Sequence, residues 1–179
     1  MATDRQKRFQ LAIKRVLDVV ISFLILALLS PLILLMTVAI KFETGGPVFV
    51  VTRENCYSHQ NIPVLRFQTG GYRHLVTRLL TESGFDQVPM LLNVLRGEMS
   101  IVGPRCQIDV PPSLVPMVVL DPLYESSLKP GLISPEIPDE AAVAGLGQVE
   151  ADTYYVSHWS LWLDVKIIFV YLFSKAAYV

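Results

Sequence analysis

The sequence is poor in charged side chains. Of its 179 residues, 17% are Asp, Glu, Lys or Arg, where about 25% is usual for a soluble domain. Hydrophobic residues make up 52% of the chain, and the formal net charge is -1. This composition excludes a disordered tail and a strongly basic nucleic-acid-binding protein, so we expect no nucleic-acid partner. Any contact with phosphate or with a membrane surface must come from local clusters of charge.

Cysteine and histidine are also scarce, which narrows the expected chemistry. The two cysteines, Cys56 and Cys106, are too few for a disulfide scaffold and favour a reducing compartment. The three histidines, His59, His74 and His158, are isolated in the sequence. The chain contains no GxSxG, Walker, GxGxxG, HExxH or paired CxxC motif. Zinc-dependent and serine-hydrolase chemistry is therefore not expected.

One long apolar segment accounts for most of the hydrophobic excess. Residues 19–40 carry no charged side chain over 22 positions, which is about the length that crosses a hydrocarbon core. A signal peptide fits less well, because the run exceeds the roughly 7–15 apolar residues of such peptides and no small-residue cleavage site follows. A buried helix of a soluble protein is the remaining alternative. The sequence favours a membrane segment.

The topology of this segment stays open on these residues alone. Ser30 and Pro31 fall at its middle, where proline removes a backbone donor and predicts a kink. Basic residues flank the segment on both sides, so the positive-inside rule favours the cytoplasm for both ends. These are Arg5, Lys7, Arg8, Lys14 and Arg15 before it, and Lys41, Arg53 and Arg66 after it. A re-entrant helical hairpin and a kinked spanning helix both fit.

The rest of the chain predicts a small domain of short helices with one β-hairpin. Residues 45–54 and 61–69 have the turn and strand composition of the hairpin. Apolar spacing predicts a helix from Val88 to Arg96, with Pro89 in its first turn and Gly97 as its stop. The predicted organisation is α+β and membrane-associated, with an N-terminal segment over 1–41 and a cytosolic domain over 42–179.

The second half of this domain is less regular. Residues 107–150 are rich in proline, which predicts irregular structure with short helices. Residues 154–173 mix Trp, Tyr and aliphatic side chains at helical spacing. That pattern fits an amphipathic helix at a membrane interface, and equally a buried core helix.

Two residues indicate phosphate chemistry. Asp86 lies just before the predicted helix, and Arg105 follows Gly103 and Pro104, which predict a tight turn. A guanidinium there suits bidentate phosphate binding, and an anion near the helix N-terminus would meet backbone N–H groups. Each residue has an ordinary alternative, Asp86 as a helix cap and Arg105 as a surface residue. A carboxylate nucleophile, a phosphate clamp and a membrane segment together suit a phosphoryl transferase acting on a lipid.

The order of several motifs resembles the bacterial sugar transferases, the monotopic phosphoglycosyl transferases. The motifs are KRVLDVV, the segment broken at Ser30-Pro31, GGPVF, RFQT, FDQVP, NVLRGEMSIVGPR, KPG and YYVSHWSLWLDVKI. The resemblance runs from about Lys14 to Leu172, and NVLRGEMSIVGPR and YYVSHWSLWLDVKI are its specific parts. It implies a re-entrant membrane helix in the inner membrane and a catalytic domain on the cytoplasmic face.

The resemblance also implies a reaction. Family members transfer a sugar 1-phosphate from a nucleotide diphosphate sugar to polyprenyl phosphate, as the first membrane step of polysaccharide biosynthesis. They release the nucleoside monophosphate and use Mg²⁺ and a covalent aspartyl intermediate. By position, Asp86 matches the nucleophile and is a candidate metal ligand, and Arg105 matches the phosphate-contacting arginine. Arg66 and Lys129, in RFQT and KPG, are further candidates for phosphate or substrate binding.

The chain departs from the family pattern at several positions. Gln87 stands where the family has a Glu associated with metal binding and proton handling, and a neutral amide is no base at ordinary pH. Gln68 replaces a family arginine, Cys106 replaces a second proline, and Ser134 ends a diverged PGITG loop. A diverged active transferase is the favoured interpretation. The alternative is a catalytically inactive relative that acts as a membrane adaptor in a polysaccharide assembly complex. The sugar, the nucleotide, the polymer and the oligomeric state are not specified by the sequence.

Overall fold

A computed structural model describes residues 2–54, 56, 61–69, 75–106, 123, 126–135 and 146–176. Its elements in chain order are α1 (Ala2–Thr44), β1 (Phe49–Glu54), β2 (Ile62–Phe67), α2 (Leu75–Ser83), a 3₁₀ turn (Phe85–Gln87), α3 (Met90–Arg96), β3 (Ser100–Val102), β4 (Gly131–Ile133), α4 (Leu146–Ser157) and α5 (Leu161–Ala176). The fold is α+β, as predicted. Most of the predicted irregular stretch 107–150 lies outside the described residues, as do His59 and His74. The predicted boundary after residue 41 falls within the last turn of α1.

Helix α1 is the longest element and contains the apolar segment. It passes through Pro31 without interruption, and it is long and apolar enough to cross a membrane. Pro31 has no N–H for the carbonyl of Ala27, four residues earlier. The hydroxyl of Ser30 donates to that carbonyl at 2.9 Å. The Ser-Pro pair therefore keeps the backbone hydrogen-bonded, and the structure shows one continuous helix. It does not show the re-entrant helical hairpin that the family resemblance implied, one of the two arrangements that the residues left open.

Buried polar contacts attach the N-terminal half of α1 to the rest of the protein. Lys14 and Asp18 are 6% and 7% exposed. The Lys14 ammonium donates to Asp164 at 2.7 Å, and Asp18 accepts the Ser100 hydroxyl at 2.7 Å. Arg15 donates to two carbonyls at the C-terminal end of α3. Lys14 and Arg15, which the sequence placed among the flanking charges of the membrane segment, therefore serve internal contacts.

Mainly apolar contacts attach the C-terminal half of α1 to the same domain. Ile40 is fully buried and clusters with Phe67 of β2 and Leu80 of α2. The Glu43 carboxylate accepts the backbone N–H of Val76 in α2 at 3.1 Å. Both halves of α1 thus contact one domain, while another face of the helix stays exposed and apolar. The large exposed side chains are Phe9, Val16, Leu17, Val20, Phe23, Leu24, Leu28, Leu34, Leu35, Val38 and Phe42.

The predicted hairpin and central helix are both confirmed. Strands β1 and β2 pair antiparallel along their six residues each. Helix α3 ends where Gly97 adopts a left-handed conformation with φ 86°, which glycine adopts without strain. The buried Asn93 of α3 accepts the backbone N–H of Leu65 in β2 at 3.0 Å. This amide fixes the hairpin against the helix.

A second small sheet, which the sequence did not predict, pairs β3 with β4 in parallel. A Cβ on Gly103 would lie 2.3 Å from the carbonyl oxygen of Lys129, so only glycine permits this close approach. The Gly103 N–H also donates to Ile133 at 3.1 Å. Gly103 and Pro104, which the sequence predicted to form a tight turn, therefore continue the contact between the two strands.

Two helices form the C-terminal segment, where the sequence predicted one. Helix α4 ends at Ser157 and α5 begins at Leu161, so the segment breaks at residues 158–160. Asp164, in the first turn of α5, accepts the Tyr155 hydroxyl at 2.7 Å and the Trp159 indole N–H at 3.3 Å. The outer face of α5 is apolar and exposed, as an interfacial helix requires. It comprises Trp162, Val165, Phe169, Val170 and Phe173.

Candidate active site

The candidate nucleophile lies in the 3₁₀ turn between α2 and α3. Gly84, with φ 75°, leads into this turn, and Asp86 and Gln87 within it are half-buried. The N-cap residue of α3 is Pro89, whose side chain makes no capping hydrogen bond. Asp86 lies three residues before that position, so it is not the N-cap residue of α3.

The same turn packs against the middle of the apolar helix. Phe85 and Val88, on either side of Asp86 and Gln87, line an apolar cleft with Leu29 and Ile33 of α1 and with Phe67. Leu29 and Ile33 bracket the Ser-Pro pair. The turn that carries the Asp86 carboxylate therefore lies beside the central residues of the apolar segment.

Arg66 lies on a strand next to the Asp86 turn. It belongs to β2, and β2 contacts the 3₁₀ turn. One terminal nitrogen of its guanidinium donates to Glu54 at 2.7 Å across the hairpin. Its buried Nε has no hydrogen-bond partner among the described residues. The structure brings Arg66 and Asp86 onto neighbouring elements, with part of the arginine's charge already balanced.

Arg105 is held by groups from two later segments of the chain. Its backbone N–H donates to the carboxylate of Asp152 at 3.2 Å, and its Nε donates to the hydroxyl of Ser134 at 3.0 Å. Arg105 follows β3 and Ser134 follows β4. Because the strands are parallel, both residues lie beyond the carboxyl ends of the two strands, at the same end of the sheet. The site arginine is therefore fixed by both its main chain and its side chain.

Asp152 of α4 contacts Arg105 and is a candidate site residue that sequence reasoning missed. It is fully buried and also accepts the side-chain amide of Gln148 at 3.3 Å. Burial raises the pKa of Asp152 to about 7, against the opposing effects of the Arg105 N–H, Gln148 and the Arg105 charge. Its carboxyl group can therefore gain or lose a proton near neutral pH. No sequence motif marks Asp152, since the same helix also carries Gln148, Glu150 and Thr153.

Lys129 is placed differently from Arg105. Its ammonium donates to the carbonyl of Gly97, at the C-terminal end of α3. It precedes β4, whereas Ser134 follows that strand. The described contacts therefore place the ammonium at a helix C-terminus, where a cation is favourable, and do not join it to Arg105.

Cys56 and Cys106 form a disulfide, although they are 50 residues apart in the sequence. The bond connects the segment after β1 to the residue that follows Arg105. Cys56 is half-buried and Cys106 is 5% exposed. No local motif pairs these cysteines, and the sequence favoured their reduced state because they are few. The pairing is a property of the tertiary structure.

The Asp86 turn offers oxygen ligands of the kind that Mg²⁺ prefers. No group of three or more His, Cys, Asp or Glu side chains among the described residues is arranged to hold a metal ion. Asp86 supplies a carboxylate and Gln87 a neutral carbonyl oxygen. Mg²⁺ is usually bound by one or two carboxylates together with substrate phosphates. The residues fit a Mg²⁺ ion that binds together with a diphosphate, without a complete protein cage.

Known proteins are similar in sequence to most of this chain. A model of the bacterial sugar transferase family matches residues 9–175. The UDP-glucose:undecaprenyl-phosphate glucose-1-phosphate transferase of Caulobacter vibrioides is 32% identical over 182 residues, covering 87% of this chain and 66% of that protein. The exopolysaccharide production protein ExoY of Sinorhizobium fredii is 33% identical over 196 residues, covering 87% and 82%. An undecaprenyl-phosphate glucose phosphotransferase of Komagataeibacter xylinus is 30% identical over 197 residues, and the chain spans only 37% of its length.

Proposed function

Because the chain belongs to the bacterial sugar transferase family, we propose that it transfers a sugar 1-phosphate from a nucleotide diphosphate sugar to polyprenyl phosphate. The names of its relatives support this reaction, since two of them act on undecaprenyl phosphate. The observation that carries the proposal is the Asp86 turn packed against the middle of the apolar helix. A lipid phosphate at the membrane surface and a nucleotide sugar from the cytosol can both approach such a position.

Asp86 is the nucleophile in this proposal. Its carboxylate oxygen attacks the phosphorus next to the sugar, and the bond from that phosphorus to the bridging diphosphate oxygen breaks. Nucleoside monophosphate leaves, and an acyl phosphate joins Asp86 to the sugar phosphate. A phosphate oxygen of polyprenyl phosphate then attacks the same phosphorus. Polyprenyl diphosphate sugar forms, and the Asp86 carboxylate is regenerated.

The remaining site residues bind and orient the phosphates. The Arg105 guanidinium, oriented by Ser134, suits the charge that spreads over the phosphoryl oxygens in the transition state. Arg66, on the strand beside the Asp86 turn, offers a second cation. Lys129 is the weakest candidate, because its described contact is with the end of α3.

Mg²⁺ is part of the proposal, with Asp86 as its protein ligand. When bound, the ion neutralises charge on the diphosphate. Gln87 keeps the size of Glu and one oxygen acceptor but lacks its charge. We therefore expect the native chain to need more Mg²⁺ than its Gln87→Glu variant.

The membrane arrangement follows from the contacts of α1. Its N-terminal half bonds to β3 and α5 through Asp18 and Lys14, and its C-terminal half packs on α2 through Ile40. The ends of a helix that spans a bilayer lie on opposite sides of a hydrocarbon core ~30 Å thick. A domain on one side of the bilayer cannot contact both of those ends. We therefore propose a monotopic helix in the inner membrane, with both ends and the catalytic domain on the cytoplasmic side.

Cysteine labelling in intact cells tests this topology. The native cysteines are replaced by serine, and single cysteines are introduced by Lys7→Cys and Pro47→Cys, both at exposed positions. A membrane-impermeant maleimide should label neither position until the inner membrane is opened. Labelling of one position from the periplasm would contradict the monotopic arrangement.

The catalytic proposal is tested by incubating purified protein with polyprenyl phosphate and a panel of UDP-sugars while UMP release is measured across a Mg²⁺ titration. We expect release in the native chain and none in Asp86→Asn, because the amide is not a nucleophile. Glu82→Gln, on the exposed side of α2, is the matched control and should retain activity. An Asp86→Asn protein that keeps native turnover, with deamidation excluded by mass spectrometry, would disprove the covalent role.

The neutral Gln87 favours a second candidate function, a membrane adaptor in a polysaccharide assembly complex. An adaptor would release no UMP with any sugar, and its Asp86→Ala variant would still support polymer formation in cells. Activity that appears only in Gln87→Glu would identify an inactive relative one substitution from catalysis.

A further inference from the structure

The Cys56–Cys106 bond joins the two parts of the chain that carry the candidate site arginines. Cys56 lies two residues after Glu54, whose carboxylate pairs with Arg66 at 2.7 Å. Cys106 directly follows Arg105, whose main chain and side chain are held by α4 and by the end of β4. The disulfide is thus the covalent connection between the hairpin and the Arg105 segment.

We propose that Cys56–Cys106 is a site of thiol–disulfide exchange whose oxidation state sets how firmly Arg105 is held. Its reaction partner is a dithiol, either a small molecule or a protein of the dithiol reductase class. Proteins facing a reducing cytosol rarely keep permanent disulfides, and those that form there are usually transient or redox-sensing. A bond next to a phosphate-binding arginine couples that exchange to the site.

The exchange follows ordinary thiol chemistry. A thiolate of the dithiol attacks Sγ of Cys56, the more accessible of the two sulfurs, and Cys106 leaves as a thiolate. The second thiol of the reagent then attacks its own sulfur in the mixed disulfide and releases Cys56. The protein disulfide gains two electrons and two protons, and the dithiol becomes a disulfide. The reverse reaction, with a disulfide of the same class, re-forms the bond.

Arg105 is the residue on which this exchange acts. While the bond is closed, the residue after Arg105 is tied to the hairpin, so the main chain of Arg105 is confined on both sides. Reduction removes that tie and leaves the β3–β4 pairing and the contacts to Asp152 and Ser134 to hold the turn. The oxidised form therefore presents the better ordered guanidinium.

Amide hydrogen exchange tests the structural part of the proposal without any substrate. One sample of the protein is reduced with dithiothreitol, and a second sample is kept oxidised. Alkylation followed by mass spectrometry counts the free thiols in each sample. We expect exchange in the segment 103–106 to be on the order of tenfold faster after reduction, because the Arg105 N–H loses protection when its turn loosens. Cys56→Ser and Cys106→Ser should exchange at the reduced rate in both buffers.

UDP-glucose binding and UMP release by the same samples test the functional part, which rests on the proposed function. We expect reduction to weaken UDP-glucose affinity on the order of tenfold, with no response in either serine variant. Native protein with equal exchange rates and equal affinities in both redox states would overturn the proposal, as would a disulfide that never forms. Faster exchange on reduction with no UMP release in either state would contradict the catalytic function and leave the thiol–disulfide exchange standing.

Discussion

Asp164 of α5 and Asp152 of α4 are both excluded from water, at 6% and 0% exposure, but their surroundings differ. Asp164 pairs with the ammonium of Lys14 at 2.7 Å and also accepts the Tyr155 hydroxyl. Asp152 accepts two neutral N–H donors, the Arg105 main chain and the Gln148 amide. Asp164 thus has a hydrogen-bonded ammonium, whereas the hydrogen bonds of Asp152 come from neutral groups.

The Lys14–Asp164 pair acts as an anchor between two helices, whereas Asp152 is a group that can change protonation. Lys14 ties the long apolar helix α1 to α5 through Asp164. Burial and the charge of Asp164 raise the pKa of Tyr155 well above its ordinary value, so Tyr155 remains a neutral donor. Asp152, with its pKa of about 7, can change charge near neutral pH. Perturbed groups of this kind are typical of functional sites, and Asp152 lies next to Arg105.

The largest effect should come from removing the cation of the anchor. Lys14→Met leaves Asp164 buried without its ammonium, and breaking a buried pair in this way costs about 3–5 kcal/mol of unfolding free energy. Urea unfolding in detergent measures this loss of unfolding free energy. The exposed Lys7→Met on the same helix is the control and should be neutral. Equal stability of Lys14→Met and native protein would show that Lys14 does not compensate Asp164.

A pH dependence should single out Asp152. Its folded pKa, about 7, lies above the ordinary value, so the native state binds more protons than the unfolded state between these values. This contribution to stability is present in acid and is lost as pH rises toward 7. Relative to Asp152→Asn, the native protein should lose about 3 kcal/mol between about pH 4.5 and pH 7.5.

Unfolding of both proteins over this pH range checks the assignment. Glu150→Gln, an exposed position on the same helix, should keep the native pH dependence. Parallel pH profiles for native protein and Asp152→Asn would mean that the carboxyl titrates normally.

The smallest effect should come from trimming the anchor. Tyr155→Phe removes one donor while Lys14 and Trp159 still bond to Asp164, so we expect a loss of about 1–2 kcal/mol. Tyr154→Phe is the matched control, because Tyr154 is exposed and stacks on His158. Thermal unfolding compares the two variants. A loss as large as that of Lys14→Met would mean that the hydroxyl, not the ammonium, compensates the carboxylate.

Local signals in the sequence predicted the hairpin and α3, because strand composition and the Pro89 and Gly97 boundaries are short-range features. They did not predict the β3–β4 sheet, whose strands are three residues long and far apart in the chain. The re-entrant helical hairpin implied by the family resemblance is not shown at Ser30-Pro31. There α1 is continuous, and the Ser30 hydroxyl bonds to the carbonyl that proline leaves without a donor.

The candidate site also combines residues that local motifs predict with residues that they do not. Asp86 and Arg105 could be predicted as site residues because motifs surround them. Asp152 could not be predicted, since its contact with Arg105 spans 47 residues and its pKa depends on burial. The sequence shows Lys14 and Arg15 only as flanking charges, because their partners lie 79 to 150 residues further along the chain.

The separation between Lys14 and Asp164 also sets an order of events during synthesis. The two residues are 150 positions apart, and translation at about 5–20 residues per second places roughly 8–30 s between their appearances. During that interval the Lys14 ammonium has no Asp164 carboxylate to pair with. The N-terminal half of α1 can therefore be fixed to α5 only after α5 has been made.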